Sequence, residues 1–464
     1  MIATLALTGL IAAFMQTLVT PIIPELPKLL STTQADASWV LTSTLLAAAI
    51  STPISGRLGD MYGKRRIVLL LLAIMVGGSI ISALSDTLVP MVVGRVLQGV
   101  GLGVIALGIS ILRDVIHPKN LGGAVALVSA TLGVGGALGL PIAATIAQYL
   151  DWHVLFWLAT ALGVVAILLV ATIIPVSTLR AGGRFDFPGA VGLAIGLVGI
   201  LLAISKGNEW GWAGPLTLGL LGGGLLVLVG WGFFELRASN PLIDLRVAAR
   251  RPVLLTNLTS ISVGFAFFVV TAALPIVLEA PVASGVGLGL PLILASLCLM
   301  PLGLVMFVMS PVAARLSNAR GPRTSLILGG IIITVGFVLG TLFLDQIWHV
   351  ILVSTITGLG VGFAYAAMPT LIMRAVPPSE TAAANGLNSV MRTLGSTLSA
   401  TVVGVILSTH LVVTDGIPTP SREAFGIVFA MGAGVVLAGV VIALFIPRRS
   451  PNYDTASIPV QRGG

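Results

Sequence analysis

The 464-residue sequence has little charge and one cysteine. Charged residues make up 9% of the chain, whereas a soluble globular domain carries about 25%. Because so few charges cannot cover a folded surface that faces water, a soluble globular protein is excluded. The single cysteine, Cys298, can form no internal disulfide and carries no information about the redox compartment.

The sequence also lacks the patterns of enzymes and of ATP-driven pumps. The four histidines, His117, His153, His349 and His410, do not have metal-ligand spacing. The sequence shows no nucleophile constellation and no GxxxxGK[ST] phosphate-binding loop. The glycine-rich runs at 99–103 and 358–362 follow no strand, so we interpret them as close helix contacts. We therefore predict no enzymatic activity, no cofactor and no metal site.

Apolar and small residues are abundant instead, with 56% hydrophobic residues and 56 glycines. A membrane-spanning helix needs about 20 apolar residues, and fourteen such runs are present. Their apolarity is continuous rather than alternating, which predicts helices and not barrel strands. The predicted spans are 2–22, 38–56, 67–84, 88–112, 122–146, 153–175, 188–206, 214–236, 253–278, 286–313, 324–343, 347–374, 383–409 and 424–446.

The 24 lysines and arginines are distributed unevenly over the predicted loops. If Met1 lies on the cytoplasmic side, that side carries most of them, and the opposite side carries only Lys28, Lys206 and Arg422. This asymmetry follows the positive-inside rule. It predicts a multi-pass protein of the inner (plasma) membrane with both termini in the cytoplasm. Because the basic residues are spread over many loops, no nucleic-acid partner is expected.

Two motifs recur at nearly the same offset, which indicates two homologous halves. The loop at 56–66 has a degenerate copy at 314–323, and the glycine run at 99–103 recurs at 358–362. Transporters with related halves place the binding site between them. The predicted division is an N-terminal six-helix bundle (1–180), two extra spans (181–250), a C-terminal six-helix bundle (251–446) and a disordered cytoplasmic tail (447–464).

The loop at 56–66 resembles the signature between spans 2 and 3 of the major facilitator superfamily. The matching residues are Gly56, Leu58, Asp60, Gly63, Lys64 and Arg65. Tight turns need glycine for backbone approach, and basic residues fix the side of the membrane.

Two further motifs narrow the resemblance. Span 4 is similar to the exporter pattern Arg-x-x-Gln-Gly-x-Gly, with Arg95 and Gln98 at its start. Span 5 resembles the antiporter motif Gly-x-x-x-Gly-Pro at Gly135, Gly139 and Pro141, with one residue inserted before the proline. The segments flanking the two extra spans resemble those of the 14-span drug:proton antiporters of the EmrB/QacA type. The chain is therefore identified as resembling that group.

The resemblance implies an all-α membrane protein with the major facilitator fold, two six-helix bundles plus two extra central spans. It implies a monomeric secondary transporter that exports small amphipathic compounds, drugs or metabolites, by alternating access coupled to proton influx. Three alternatives remain open: a dedicated metabolite exporter, an uncoupled facilitator, and a non-transporting receptor on a transporter fold. Small-molecule substrate, protons and the lipid bilayer are the expected partners.

The resemblance also implies a conformational latch and a hinge. We expect Asp60 near Ser379 at the start of span 13, because a helix N-terminus favours a carboxylate by about 0.3–1 kcal/mol. We expect Asp114 to pair with Lys64 or Arg65. The alternative for this loop is a tight turn with ordinary topogenic charge. Gly135, Gly139 and Pro141 are expected to form the hinge of span 5.

Two arginines lie inside predicted spans. A charge in a span costs roughly 2.5–3.5 kcal/mol on insertion scales, so Arg95 and Arg392 should face a wet cavity or a partner. Gln98 and Asn388 lie one turn from them on the same helix faces. For Arg392, an interhelical hydrogen bond that only holds the halves together is an equal alternative.

The acid that 14-span antiporters carry in span 1 is missing. Its position is occupied by Met15, although Thr17 matches the family pattern. Because no acid lies near a span midplane, we hypothesise that Glu25 pairs with Arg95 and takes the proton-coupling role. A cavity with arginines but no buried acid should favour neutral, zwitterionic or anionic compounds over lipophilic cations.

Overall fold

The computed structural model describes residues 1–23, 25–176, 182–414 and 417–447. Within them, fourteen helices are long and apolar enough to cross a membrane, in agreement with the number predicted from the sequence. They are Ile2–Ile22, Trp39–Tyr62, Lys64–Ala83, Leu88–Val115, Asn120–Tyr149, His153–Ile173, Phe187–Trp210, Pro215–Arg237, Arg251–Glu279, Leu292–Arg320, Pro322–Leu342, Ile347–Ala375, Pro378–Thr409 and Arg422–Leu444, numbered spans 1 to 14.

The connecting segments contain short elements. Helical turns at Leu26–Leu29 and Gln34–Ala37 precede span 2, and the helix Leu245–Ala248 precedes span 9. Between spans 13 and 14, strands Leu411–Thr414 and Ile417–Pro420 form an antiparallel hairpin. The strand at 411–414 is rich in β-branched residues, which favour extended backbone. The hairpin lies outside the spans, so the membrane part is all-α as predicted.

Single glycines join spans 2 and 3 and spans 10 and 11. Gly63 has a φ of +104° and Gly321 a φ of +88°, values that other L-residues rarely adopt. The two glycines hold corresponding places in the repeated loops, so both halves make the same sharp reversal. We call the end of the molecule that carries these two turns the basic end; the sequence predicts that it is cytoplasmic.

The hydrophobic core falls into separate clusters. The largest contains buried residues from 5–174, with only Met373 and Ala382 added from the second half. Another contains only residues from 263–446. Span 7 forms its own cluster with residues of spans 2 and 13, while span 8 is only 11% buried in its most apolar segment. The predicted domain boundary at 180/181 and the tail from 448 onward lie outside the described residues, so that division stays a prediction.

The two halves approach closely along two helix pairs. Gly303 of span 10 lies so near the Gly133 carbonyl of span 5 that a side chain at 303 would collide with backbone. At the basic end of spans 2 and 13, a Cβ on Gly56 would lie 2.6 Å from the Ala382 carbonyl oxygen. Small residues permit such contacts, which suits helices that lipid does not push together.

Cysteine labelling tests the sidedness of the repeated loops. In a Cys298→Ser background, Arg66→Cys and Arg320→Cys should react with a membrane-impermeant maleimide only in inverted vesicles, because the positive-inside rule places the basic end in the cytoplasm. Asp345→Cys, in the loop between spans 11 and 12, is the control and should react only in right-side-out preparations. Labelling of positions 66 and 320 from opposite sides would contradict the two-half topology.

Candidate functional site

Arg95 is the centre of a polar network in the N-terminal half. Its side chain is fully buried, with 0% exposure. Nε donates to the Val40 carbonyl at 3.2 Å, and Nη1 donates to the Met15 carbonyl at 3.3 Å. Span 4 is thereby tied to spans 1 and 2 through backbone acceptors. Nη2 has no hydrogen-bond partner within the described part of the chain, which leaves its two N–H donors available.

Gln98 extends this network to span 3. Its Oε1 accepts from Nη1 of Arg95 at 2.6 Å, and its Nε2 donates to the Ser79 hydroxyl at 2.8 Å. The predicted pair of Arg95 and Gln98 therefore does lie together. The resulting chain of hydrogen bonds crosses four helices of one half, as expected for a charge that lipid cannot solvate.

The structure does not bring Glu25 to Arg95. The Glu25 side chain is exposed in the segment after span 1, whereas Arg95 is enclosed and satisfied mainly by carbonyl groups. Thr17 is also turned to its own helix, because its hydroxyl donates to the Phe14 carbonyl at 3.0 Å. Glu25 thus lies away from Arg95 in this conformation, and the Thr17 hydroxyl is used within its own helix.

The predicted hinge residues face span 1. A Cβ on Gly135 would lie 2.6 Å from that of Ala13, and a side chain at Gly139 would meet the Thr17 hydroxyl. Pro141 lies within the continuous helix Pro118–Tyr149. The glycines therefore allow spans 1 and 5 to pack closely in this conformation, and their role as a hinge stays a prediction.

A second network surrounds Arg392 in the C-terminal half. Its guanidinium donates to Asn388 and to Ser389, each at 2.9 Å, and lies 5.1 Å from the centre of the Tyr365 ring. Unlike Arg95, Arg392 is partly exposed. The Phe267 ring lies 6.0 Å from that of Tyr365. A cation and two aromatic rings are therefore grouped on spans 9, 12 and 13.

Sequence reasoning missed the partners that orient Asn388. Its Nδ2 donates to Asn257 at 3.0 Å and to the Ser260 hydroxyl at 2.6 Å, both on span 9. Asn257 and Ser260 are three residues apart and so share one face of span 9, and an amide and a hydroxyl at this spacing within a span are the signal that could have identified them.

The latch residues form one group at the basic end. Asp60 is 2% exposed, and its Oδ2 accepts from the Ala383 backbone N–H at 3.2 Å. The contact lies four residues beyond the predicted Ser379, because the α-helix begins at Thr381 and its free N–H groups lie in the following turn. The Asp60 carboxylate of the first half is thus held by a helix start of the second half.

Lys64 is the residue that contacts Asp114. Its ammonium lies 2.8 Å from each Asp114 oxygen and 3.8 Å from Asp60. Arg65 instead donates to the Ala171 carbonyl of span 6. Of the two partners predicted for Asp114, the structure therefore selects Lys64.

Arg113 adds a contact between the halves that the sequence did not single out. Its guanidinium donates to the Val376 carbonyl at 3.2 Å and to the Thr381 hydroxyl at 2.6 Å. Together with Asp60 it ties spans 2 and 4 to the start of span 13. The molecule is therefore closed at the basic end in this conformation.

The family assignment agrees with this geometry. The family profile described as Major Facilitator Superfamily matches residues 5–400 and 321–460. The chain belongs to the major facilitator superfamily. It is thus a multi-pass membrane protein, a transporter of small molecules and not an enzyme.

Three proteins similar to this chain illustrate the assignment to the superfamily. "Multidrug resistance protein 3" of Bacillus subtilis is 24% identical over 378 residues, covering 80% of this chain and 72% of the relative. "Tetracenomycin C resistance and export protein" of Streptomyces glaucescens is 28% identical over 418 residues, covering 86% and 74%. The proton:xylose symporter XylE has a similar fold, with a TM-score of 0.66 at 16% identity, covering 97% of this chain and 96% of that one.

Removing the buried ammonium of Lys64 should strongly destabilise the protein. Lys64→Met removes the buried ammonium that contacts Asp114 at 2.8 Å, and breaking such a buried pair costs about 3–5 kcal/mol. We expect the free energy of unfolding, measured by denaturant titration in bicelles, to fall by about that amount. Adding Asp114→Leu to this variant should recover part of the loss. The exposed neighbour change Arg66→Met is the control, and an equal loss there would contradict the assignment.

Closure of the basic end should depend on Gly56. Gly56→Val places methyl groups against the Ala382 backbone, and such overpacking costs about 1–3 kcal/mol. This cost shifts the equilibrium between the closed and the open basic end about 5- to 150-fold toward the open state. A Ser389→Cys probe in a Cys298→Ser background should then react faster with maleimide added at the basic end. Gly77→Val, whose added side chain meets open space, should leave the rate unchanged. Equal rates in both variants would contradict the prediction.

Proposed function

We propose that this protein is a secondary active exporter of small amphipathic compounds, drugs or metabolites, which works by alternating access in the plasma membrane. The names of the relatives support export, since one is a multidrug resistance protein and another a tetracenomycin C resistance and export protein. We further propose that it acts as a monomer with both termini in the cytoplasm.

The observation that carries alternating access is the latch at the basic end. Asp60 and Arg113 of the first half hold the start of span 13 through hydrogen bonds to backbone and to one hydroxyl. Apart from Met373 and Ala382, the two halves have cores of their own, so breaking these bonds would leave most of each core packed. Opening there, with closure at the other end, would expose the space between the halves to the two sides in turn.

The charges of the two arginine networks favour an anionic or neutral substrate. Arg392 is the accessible one, and it lies beside the Tyr365 ring with Phe267 behind it. A cation beside aromatic rings suits an amphipathic compound that carries a carboxylate or another acidic group on an apolar body. Lipophilic cations would meet the positive charge of Arg392 without a compensating acid.

Arg392→Gln should weaken transport of anionic compounds. Hydrogen bonds to a charged group contribute about 1.5–3 kcal/mol. The apparent affinity for an anionic fluorescent drug, measured from its uptake into everted vesicles, should therefore fall roughly ten- to a hundredfold. Uptake of a neutral drug should change less, and Arg392→Lys should retain part of the preference. Arg320→Gln, at an exposed position on span 10, is the matched control. Unchanged discrimination in Arg392→Gln would refute this site.

Proton coupling needs a separate measurement, because Met15 replaces the expected acid and Glu25 is exposed. Uptake into everted vesicles should exceed equilibrium only when the lumen is acidic, and a protonophore should abolish the excess. If Glu25 takes the proton-coupling role, Glu25→Gln should abolish this excess. If the drug only equilibrates across the membrane and does not accumulate, the second candidate, an uncoupled facilitator, is favoured. The specific argument for this candidate is that Met15 stands where the family carries an acid.

A further inference from the structure

Two carboxyl groups meet at the basic end of the extra spans. Asp186 precedes span 7 and caps it, since its Oδ1 accepts from the Gly189 N–H at 2.8 Å. Glu235 lies in the last turn of span 8, and its side chain is 2% exposed. A Cβ on Gly189 would lie 2.7 Å from the Asp186 carboxyl carbon and 2.5 Å from Glu235 Oε1. The two carboxyl groups therefore converge on one position.

Three of the four carboxyl oxygens have no hydrogen-bond partner among the described residues: Asp186 Oδ2 and both oxygens of Glu235. The backbone N–H groups of Leu242 and Ile243 face the Glu235 carboxyl but fall short of hydrogen-bond geometry. The Trp231 indole also faces it, and its N–H donates to the Gly189 carbonyl at 2.8 Å. The site thus contains buried acceptors with no strong donor.

No cation neutralises the pair within the parts of the chain that the structure describes. Arg246, on the short helix after span 8, donates to the Leu236 carbonyl, and Asp244 caps that same helix. Among the described residues, Asp186 is the charged group that acts on Glu235, and the flanking Arg184 and Arg237 do not. Across the neighbouring loop, the charged groups of spans 2 and 13 are Arg57 and Glu380. Among the described residues, the start of span 7 that Asp186 caps offsets part of the negative charge on Asp186, and no cation offsets the charge on Glu235.

We propose that Asp186 and Glu235 form a proton-binding site in which the two carboxyl groups share one proton. The proton comes from water at the basic end; an O–H bond forms on one carboxyl group and donates to an oxygen of the other. The charge of the pair changes from −2 to −1, and no other bond forms or breaks. Two buried carboxylates within about 4–6 Å do not both remain ionised, because each disfavours the charge on the other.

The site adjoins the latch. Leu242 and Ile243 line a cavity of about 440 Å³ that Glu380 and Ala383 of span 13 also line. The Ala383 N–H is the group that donates a hydrogen bond to Asp60. Protonation of the pair changes the charge beside the loop that contains Leu242 and Ile243. That loop borders span 13 close to its contact with Asp60. The proposal holds whichever compound is transported and whether or not transport is proton-coupled.

Infrared difference spectroscopy of the full-length protein in lipid nanodiscs tests the site. The wild type should show a protonated-carboxyl C=O band at neutral pH that disappears on alkaline titration. Glu235→Gln should remove this band, because the variant no longer has two carboxyl groups to share the proton. Asp186→Asn should move the titration of Glu235 to lower pH. Glu209→Gln, at the opposite end of span 7, is the control and should leave the band intact. A band unchanged in Glu235→Gln overturns the proposal.

Thermal stability between about pH 5 and about pH 9 gives a second readout. The wild type is most stable at low pH, where the shared proton is present, and should lose stability as rising pH removes it. Glu235→Gln mimics the protonated acid, so the part of this loss that comes from the pair should vanish, and the part from the buried Asp60 should remain. If that variant does not fold, the Asp186→Asn titration decides alone, and an unshifted band there refutes the pair. A wild-type midpoint that moves with Na⁺ at constant pH would assign the site to a metal cation instead.

Discussion

Lipid offers no hydrogen-bond partners, so the charged side chains inside this molecule depend on partners within the protein. This constraint explains the arrangement of the charged side chains. Arg95 is solvated by carbonyl groups of two other spans, Lys64 by the carboxylate of Asp114, and Arg113 by the backbone before span 13. Each buried cation thereby fixes one helix against another. The first two hold a single half together, and the third joins the halves.

The repeated halves share backbone geometry but not charge. Gly63 and Gly321 make the same reversal, yet Asn318 stands in the second half where Asp60 stands in the first. A Cβ on Gly122, near the start of span 5, would lie 2.9 Å from the Asn318 amide oxygen. Each repeated loop thus faces a helix start of the opposite half, but only the first carries a carboxylate. The interface at the basic end is symmetric in shape and asymmetric in electrostatics.

Sequence patterns predicted what depends on local chemistry. Apolar run length identified all fourteen spans. The glycine-rich loop signature identified the turn at Gly63, and the family resemblance implied the pairing of Asp114 with Lys64 or Arg65. The partners of Arg95 were not predictable, because backbone carbonyl groups have no signature in side-chain patterns, and Glu25 was chosen only as the nearest acid. Asp186 and Glu235 are far apart in sequence and meet only when spans 7 and 8 fold back on each other.

The one-residue turns have a mechanical consequence. A connection of a single glycine has no slack, so span 3 cannot stay still when span 2 tilts, and span 11 must follow span 10 in the same way. We therefore expect each pair to tilt as a unit about its glycine. A movement that begins at the latch would then be shared by both helices of the pair and felt at their far ends.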